Sequence, residues 1–265
     1  MFWLLSRLRA DFRNWDRPTR IAVALGVLLL IALLIAAVAA PAELRVPALI
    51  GAIGLVIVSQ IAVLWGNRGM ISPFTQAQRH YLDGSFDEAR DVLEAARARG
   101  KIDVKSLTLL GNTYRQLGQL AESEMVLSEA VARAPEHYFA RYGFGRTLLS
   151  RGEYAAAVES IAEAVRLGAP PVVQLDLAEA YYRLGQFPDA AVPLESVRAQ
   201  EPHRALMQAY LLYRMGRGAP PERELIAAGL PYWRASAERF GATPYGQALA
   251  QDVDRMQVLV EEMKS

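Results

Sequence analysis

The chain has 265 residues, 52% of them hydrophobic, and a formal net charge of +1. That balance excludes a basic nucleic-acid binder, which would carry a high pI and a cationic face. The absence of cysteine excludes disulfides, thiolate zinc sites and a cysteine nucleophile.

Met1 to Arg17 reads as an amphipathic helix. At 100° per residue Met1, Leu4, Leu5, Leu8, Phe12 and Trp15 share one face, and Arg7, Arg9, Arg13 and Arg17 lie off it. Residues 1–20 are therefore expected to lie in a membrane interface, with apolar side chains at the headgroup boundary and arginines on anionic lipid. Docking of this helix on the rest of the protein is the alternative.

Two apolar runs follow, 21–40 and 47–66. Each has the length of about 20 residues that spans about 30 Å of hydrocarbon as a helix. The connection 41–47 is too short to hold a domain, so the expectation is a two-helix transmembrane hairpin across 21–66. Arg7, Arg9, Arg13, Arg17 and Arg20 precede the first span, Arg68 and Arg79 follow the second, and only Arg45 lies between. Basic flanks stay inside, which puts both termini in the cytoplasm and the chain in an inner membrane as a multi-pass protein. A cleaved signal peptide ending near Ala37-Val38-Ala39 is the rival reading. Gly51 and Gly54 suit close helix packing and Gln60 a hydrogen bond between helices, within the hairpin or onto other spans of a membrane complex.

A short linker, 67–72, leads to Ser72-Pro73, which reads as an N-cap and first helical residue. From there the chain repeats itself. Gly111–Gly118, Gly145–Gly152 and Ala178–Gly185 are similar octads offset by 34 and then 33 residues, and an earlier copy ends at Gly84. The register brings small residues Ala77, Gly111, Gly145 and Ala178 into one site. It brings turn glycines Gly84, Gly118, Gly152 and Gly185 into another. Ala89, Ser123, Ala157 and Ala190 open the second helices, and Ala96, Ala130, Ala164 and Val197 follow later in them. Pro135 and Pro202 close units, and Ala169 with Pro170 stands where a third such proline would.

A period near 34 residues built of helix–turn–helix units with these small, glycine and proline positions resembles the tetratricopeptide repeat (TPR) family. The fold class expected is all-α, with a solenoid over 73–219. Its repeats run about 70–103, 104–137, 138–170 and 171–204, with a degenerate fifth from 205 that echoes the fourth in Tyr213-Arg-Met-Gly216. Residues 220–265 are expected to form C-terminal capping helices. In the last of them Tyr245, Leu249, Val253, Met256, Val260 and Met263 make an apolar stripe.

The resemblance also implies a binding groove lined by the first helix of each repeat. Carried across, its positions are Phe74, Gln78 and Tyr81, then Thr108, Asn112 and Arg115. Next come Phe139, Tyr142, Arg146 and Leu149, followed by Leu175, Glu179, Tyr182 and Arg183, with Tyr210 and Tyr213 continuing the line. A sub-family that clamps a chaperone's terminal carboxylate carries a lysine one turn before the groove asparagine. Here Thr108 stands in that place before Asn112.

Nothing in the sequence points to an enzyme, a cofactor or a metal. The histidines, His80, His137 and His203, have no ligand spacing on one helix face, and no glycine-rich phosphate loop follows a strand. The lysine-poor, arginine-rich composition suggests a GC-rich bacterial genome. The function expected is a membrane-anchored scaffold, adaptor or assembly factor that holds a protein partner at the cytoplasmic face. The alternative is an accessory subunit whose hairpin packs on other spans of a larger membrane complex.

Overall fold

The structure is a computed structural model that describes residues 26, 28–33, 35, 38–39, 41–67, 72–100 and 102–263, with side chains in 42–67 described in part. The expected interfacial helix at 1–20 lies outside the described residues, as does most of the linker 67–72. The chain divides into two units, 1–72 and 73–265.

In the first unit residues 28–33 are helical, and α1 (Ala42–Asn67) is a 26-residue helix with Pro47 inside it. The expected connection 41–47 is therefore helical from Ala42 onward. Pro47 falls in the second turn, past the first turn where proline is tolerated, so it leaves the carbonyl of Glu43 without its i+4 amide donor. Leu49, Ile50, Ile53, Ile57 and Val58 of α1 are exposed. Among the described residues no helix is long and apolar enough to cross a membrane.

The second unit is built from helices throughout its described residues. These are α2 (Pro73–Leu82), α3 (Phe86–Ala98), α4 (Val104–Gln116), α5 (Leu120–Arg133), α6 (Tyr138–Arg151) and α7 (Tyr154–Arg166). They continue as α8 (Val173–Leu184), α9 (Phe187–Ser196), α10 (Pro202–Arg214), α11 (Arg223–Arg239) and α12 (Pro244–Glu262).

The repeat register predicts this architecture for local reasons. Gly84, Gly118, Gly152 and Gly185 all adopt the left-handed conformation, at φ 78°, 75°, 88° and 84°. That conformation lets the chain reverse between two helices and is open to glycine at little cost. The small positions are contact points within a repeat. A Cβ added to Gly111 would lie 2.3 Å from Leu127 Cγ, and one added to Gly145 would lie 2.5 Å from Ile161 Cγ1. Ser123, where other repeats carry alanine, is fully buried and spends its hydroxyl on Gly111 O at 2.7 Å and Thr147 Oγ1 at 2.8 Å.

First helices stack into an inner row, α2 on α4, α4 on α6, α6 on α8 and α8 on α10, while second helices fill the outer row. Among helices consecutive in the chain the weakest packing is between α9 and α10. There Pro193 sits inside a ten-residue helix that ends at Ser196. Val197, expected to be a small-position match within the helix, is instead its extended C-cap. The last two helices take a different place from a continuation of the stack. α11 packs on α10, and α12 packs on α11 and reaches back to α6.

Candidate functional site

The inner row presents α2, α4, α6, α8 and α10 side by side, and α11 and α12 lie across it. Their polar ties run to first helices. Arg239 at the end of α11 donates to Gln116 Oε1 of α4 at 2.5 Å. Thr243, in the turn between α11 and α12, lies 2.8 Å from Ser150 O of α6 and accepts from Gly246 N–H at 3.1 Å. Tyr245 of α12 donates to Glu179 Oε1 of α8 at 2.9 Å. Asp252 accepts from Arg183 of α8 at 2.6 Å and from Tyr210 of α10 at 2.9 Å. Trp233 donates its indole N–H to His203 O of α10 at 3.1 Å.

Apolar packing is the larger force. Trp233, Phe240, Tyr245, Leu249, Val253 and Met256 are buried in one cluster with Leu148, Leu149, Leu175, Leu206 and Leu211 of the inner row. At about 1.5–3 kcal/mol per large side chain removed from water, six such residues contribute on the order of 10 kcal/mol. The fold-back pair is thus packed into the same core as the inner row.

This decides what the expected groove residues touch. Thr108 is fully buried and donates to Val104 O of its own helix at 2.8 Å. Tyr142 donates to Asp176 at 2.7 Å, and Arg146 and Arg204 pair with the same carboxylate. Glu179 is buried beneath Tyr245, and Arg183 lies 5.7 Å from the Tyr245 ring centroid and 5.8 Å from that of Tyr182. Tyr182 packs on Phe187 at 5.4 Å, and Tyr213 is half-buried. Arg146 and Glu179, predicted to share one open surface, do come together. They line a cavity of about 30 Å³ with Asp176, His203, Arg204, Tyr232 and Tyr245. That is room for about one water molecule, not for a peptide.

Toward the other end the face is open. Gln78 and Phe139 are exposed, and Phe74 and Tyr81 are half-buried. Gln116 joins this end to the fold-back pair, since its amide donates to Tyr81 OH at 3.4 Å while its oxygen accepts from Arg239. Asn112 accepts from Arg115 at 3.1 Å. Burial, and then the charge of Arg146, push the Arg115 guanidinium below its usual pKa.

Sequence reasoning missed Asp176, Arg204, Tyr232, Arg239 and Asp252. Their contacts join residues 28 to 123 positions apart, and no local pattern marks them. Tyr245 was visible only as part of an apolar stripe. Among the described residues no group of three or more side chains could hold a metal ion.

A stack of helix pairs with left-handed glycine turns and small contact residues defines a helical-repeat interaction scaffold. The tetratricopeptide repeat family matches at residues 74–138, 108–171 and 142–200. Residues 74–200 thus carry tetratricopeptide repeats, the units of proteins that are generally non-enzymatic scaffolds for protein–protein interaction. Human tetratricopeptide repeat protein 7B is 34% identical over 96 residues, 36% of this chain and 11% of that protein. A thermophilic TPR protein of Thermus thermophilus aligns in structure with a TM-score of 0.50 at 20% identity, covering 70% of this chain and 97% of that one. MamA of Desulfovibrio magneticus RS-1 aligns with a TM-score of 0.41 at 18% identity, covering 71% and 93%. At 20% identity the likeness to the Thermus protein is one of fold.

Proposed function

We propose that the chain is a membrane-anchored scaffold that holds a protein partner on the open part of its inner face. The carrying observation is the fold-back pair. Because α11 and α12 are tied to the inner helices from the end of α4 onward, the inner-row side chains left exposed or half-buried include Phe74, Gln78, Tyr81 and Phe139. Aromatic side chains with polar tips are favoured anchors for a partner, since they combine area with hydrogen bonding.

The membrane part of the reading rests on the apolar runs 21–40 and 47–66 and on the exposed isoleucines of α1, which water disfavours. On this reading the chain sits in a bacterial inner membrane with both termini in the cytoplasm. Reporter fusions after Ser265 and beside Glu43 test this, and a periplasmic C-terminus would overturn it. A second reading, an accessory subunit fixed in a larger membrane complex, is favoured by Gly51, Gly54 and Gln60 within the second run. Constant stoichiometry with one complex on detergent purification would select it.

The scaffold reading is tested by a photo-reactive side chain introduced in the full chain at Gln78 and, separately, at Glu159 on the outer helix α7. A dominant protein adduct from position 78 alone is expected. An adduct from position 159 alone would move the partner to the outer face.

A further inference from the structure

The fold-back pair carries a groove of its own, away from the residues expected to line the inner face. Where the first turns of α11 run beside the last turns of α12, the two helices leave a space of about 370 Å³. Ile226 and Leu230 of α11 and Val260 of α12 give it an apolar floor, and Arg223, Arg234 and Glu261 rim it. Glu261 is already engaged within the chain. The two arginines are exposed, and among the described residues neither meets an acid. Arg234 even has Glu238 at the i, i+4 spacing that favours a pair, and does not use it.

The complement lies on the next helix of the same pair. Asp254 of α12 is exposed and, among the described residues, meets no cation. Val258, one turn later on the same face, is 57% exposed. A single exposed aliphatic side chain is ordinary on a protein surface and marks nothing by itself. Here it stands one turn from an open acid, while on α11 the floor residue Leu230 stands one turn from an open cation, Arg234. The two spacings are equal. An acid and a valine from one chain therefore match a cation and a groove on another. Ala227, Ala228, Pro231 and Ala235 make up much of the exposed face of α11, and side chains this small let a second helix come close.

We propose that this face of the fold-back pair receives a second copy of the chain, related to the first by a two-fold axis. Asp254 of each copy pairs with Arg234 of the other, and Val258 of each enters the other's groove over Leu230. A two-fold contact uses one patch twice, so the acid and its receiving groove must lie on the same face. The antiparallel pair α11 and α12 supplies them side by side. The contact leaves the open inner face unused, so it goes beyond the scaffold reading and stands apart from it.

The test is the mass of the full chain in detergent micelles, measured by light scattering over rising protein concentration. The parent is expected to be a dimer. Arg234→Glu and Asp254→Arg, each alone, set like charges against one another at both ends of the contact and should weaken the dimer at least tenfold. Both residues are exposed, so helicity and melting should match the parent. An equimolar mixture of the two variants should recover the parent's dimer, because every pair across the mixed contact again joins opposite charges. A monomeric parent overturns the proposal. So does a dimer that both variants keep, which would run through another face, or a loss that mixing fails to repair. A photo-reactive side chain at Ala227 that captures a different protein in cells, while the purified parent is monomeric, gives the groove to that protein instead. Each of these failures leaves the adduct expected at position 78 untouched.

Discussion

Asp252 and Arg183, 69 positions apart in the chain, form a 2.6 Å ion pair with side chains 2% and 6% exposed. The pair fastens α12 to the fourth repeat, and Tyr210 and Arg255 also address the same carboxylate. Burial opposes the Arg183 cation, but Asp252 and Glu179 outweigh it and hold its pKa above the usual value. Asp252→Ala should therefore leave a buried guanidinium with Nε and Nη2 already lacking partners. The expected loss is about 3–5 kcal/mol in urea unfolding.

The turn between α11 and α12 depends on a missing side chain. A Cβ on Gly246 would lie 2.0 Å from Phe240 O and 2.2 Å from its carbonyl carbon. That neighbour is backbone and cannot rotate away. Gly246→Ala should cost about 1–3 kcal/mol or more, as overpacking does. Its thermal midpoint should fall well below that of Gly54→Ala, a glycine with nothing within 4 Å of its added Cβ.

His203 stacks on Tyr232 with ring centroids 4.0 Å apart. Burial lowers its pKa from 6.5, as do the charges of Arg204 and Arg146, against a smaller opposing effect of Glu201. The folded state thus resists a proton that the unfolded state accepts. Its contribution is complete above the unfolded value of 6.5 and is lost as pH falls from there toward the lower folded value. Urea midpoints measured from about pH 7.5 to about pH 5.5 should fall less steeply in His203→Gln than in the parent. Parallel profiles would show that His203 takes no part.

Tyr245 titrates well above its usual 10.0, chiefly because burial disfavours the phenolate and then because Glu179 repels it. Here the sign is opposite. Stability is complete below the unfolded value and is lost as pH rises from about 10 through the higher folded value. Tyr245→Phe should give up about 1 kcal/mol of hydrogen bonding at neutral pH and should flatten the alkaline limb of the unfolding profile. Alkaline limbs that superimpose would contradict the burial of this phenol.

The repeat itself was legible because its determinants are local. A left-handed turn needs glycine within a few residues of a helix end, so Gly84, Gly118, Gly152 and Gly185 announce four turns at a fixed period. Two helices that touch need small residues at the crossing, so Ala77, Gly111, Gly145 and Ala178 announce the packing. The stripe Tyr245, Leu249, Val253 and Met256 likewise showed which face of the last helix is buried, since 3.6-residue periodicity is a property of the helix alone. What that face is buried against lies beyond periodicity. Any apolar surface satisfies it, whether the end of the stack, a second copy or the inner row. Tertiary structure made the choice through contacts that join positions 66 to 123 residues apart, Tyr245 with Glu179, Asp252 with Arg183 and Arg239 with Gln116. Their partners acquire meaning only once the chain has brought them within 3 Å. The inner row is therefore tied to the chain's own end from the end of α4 onward.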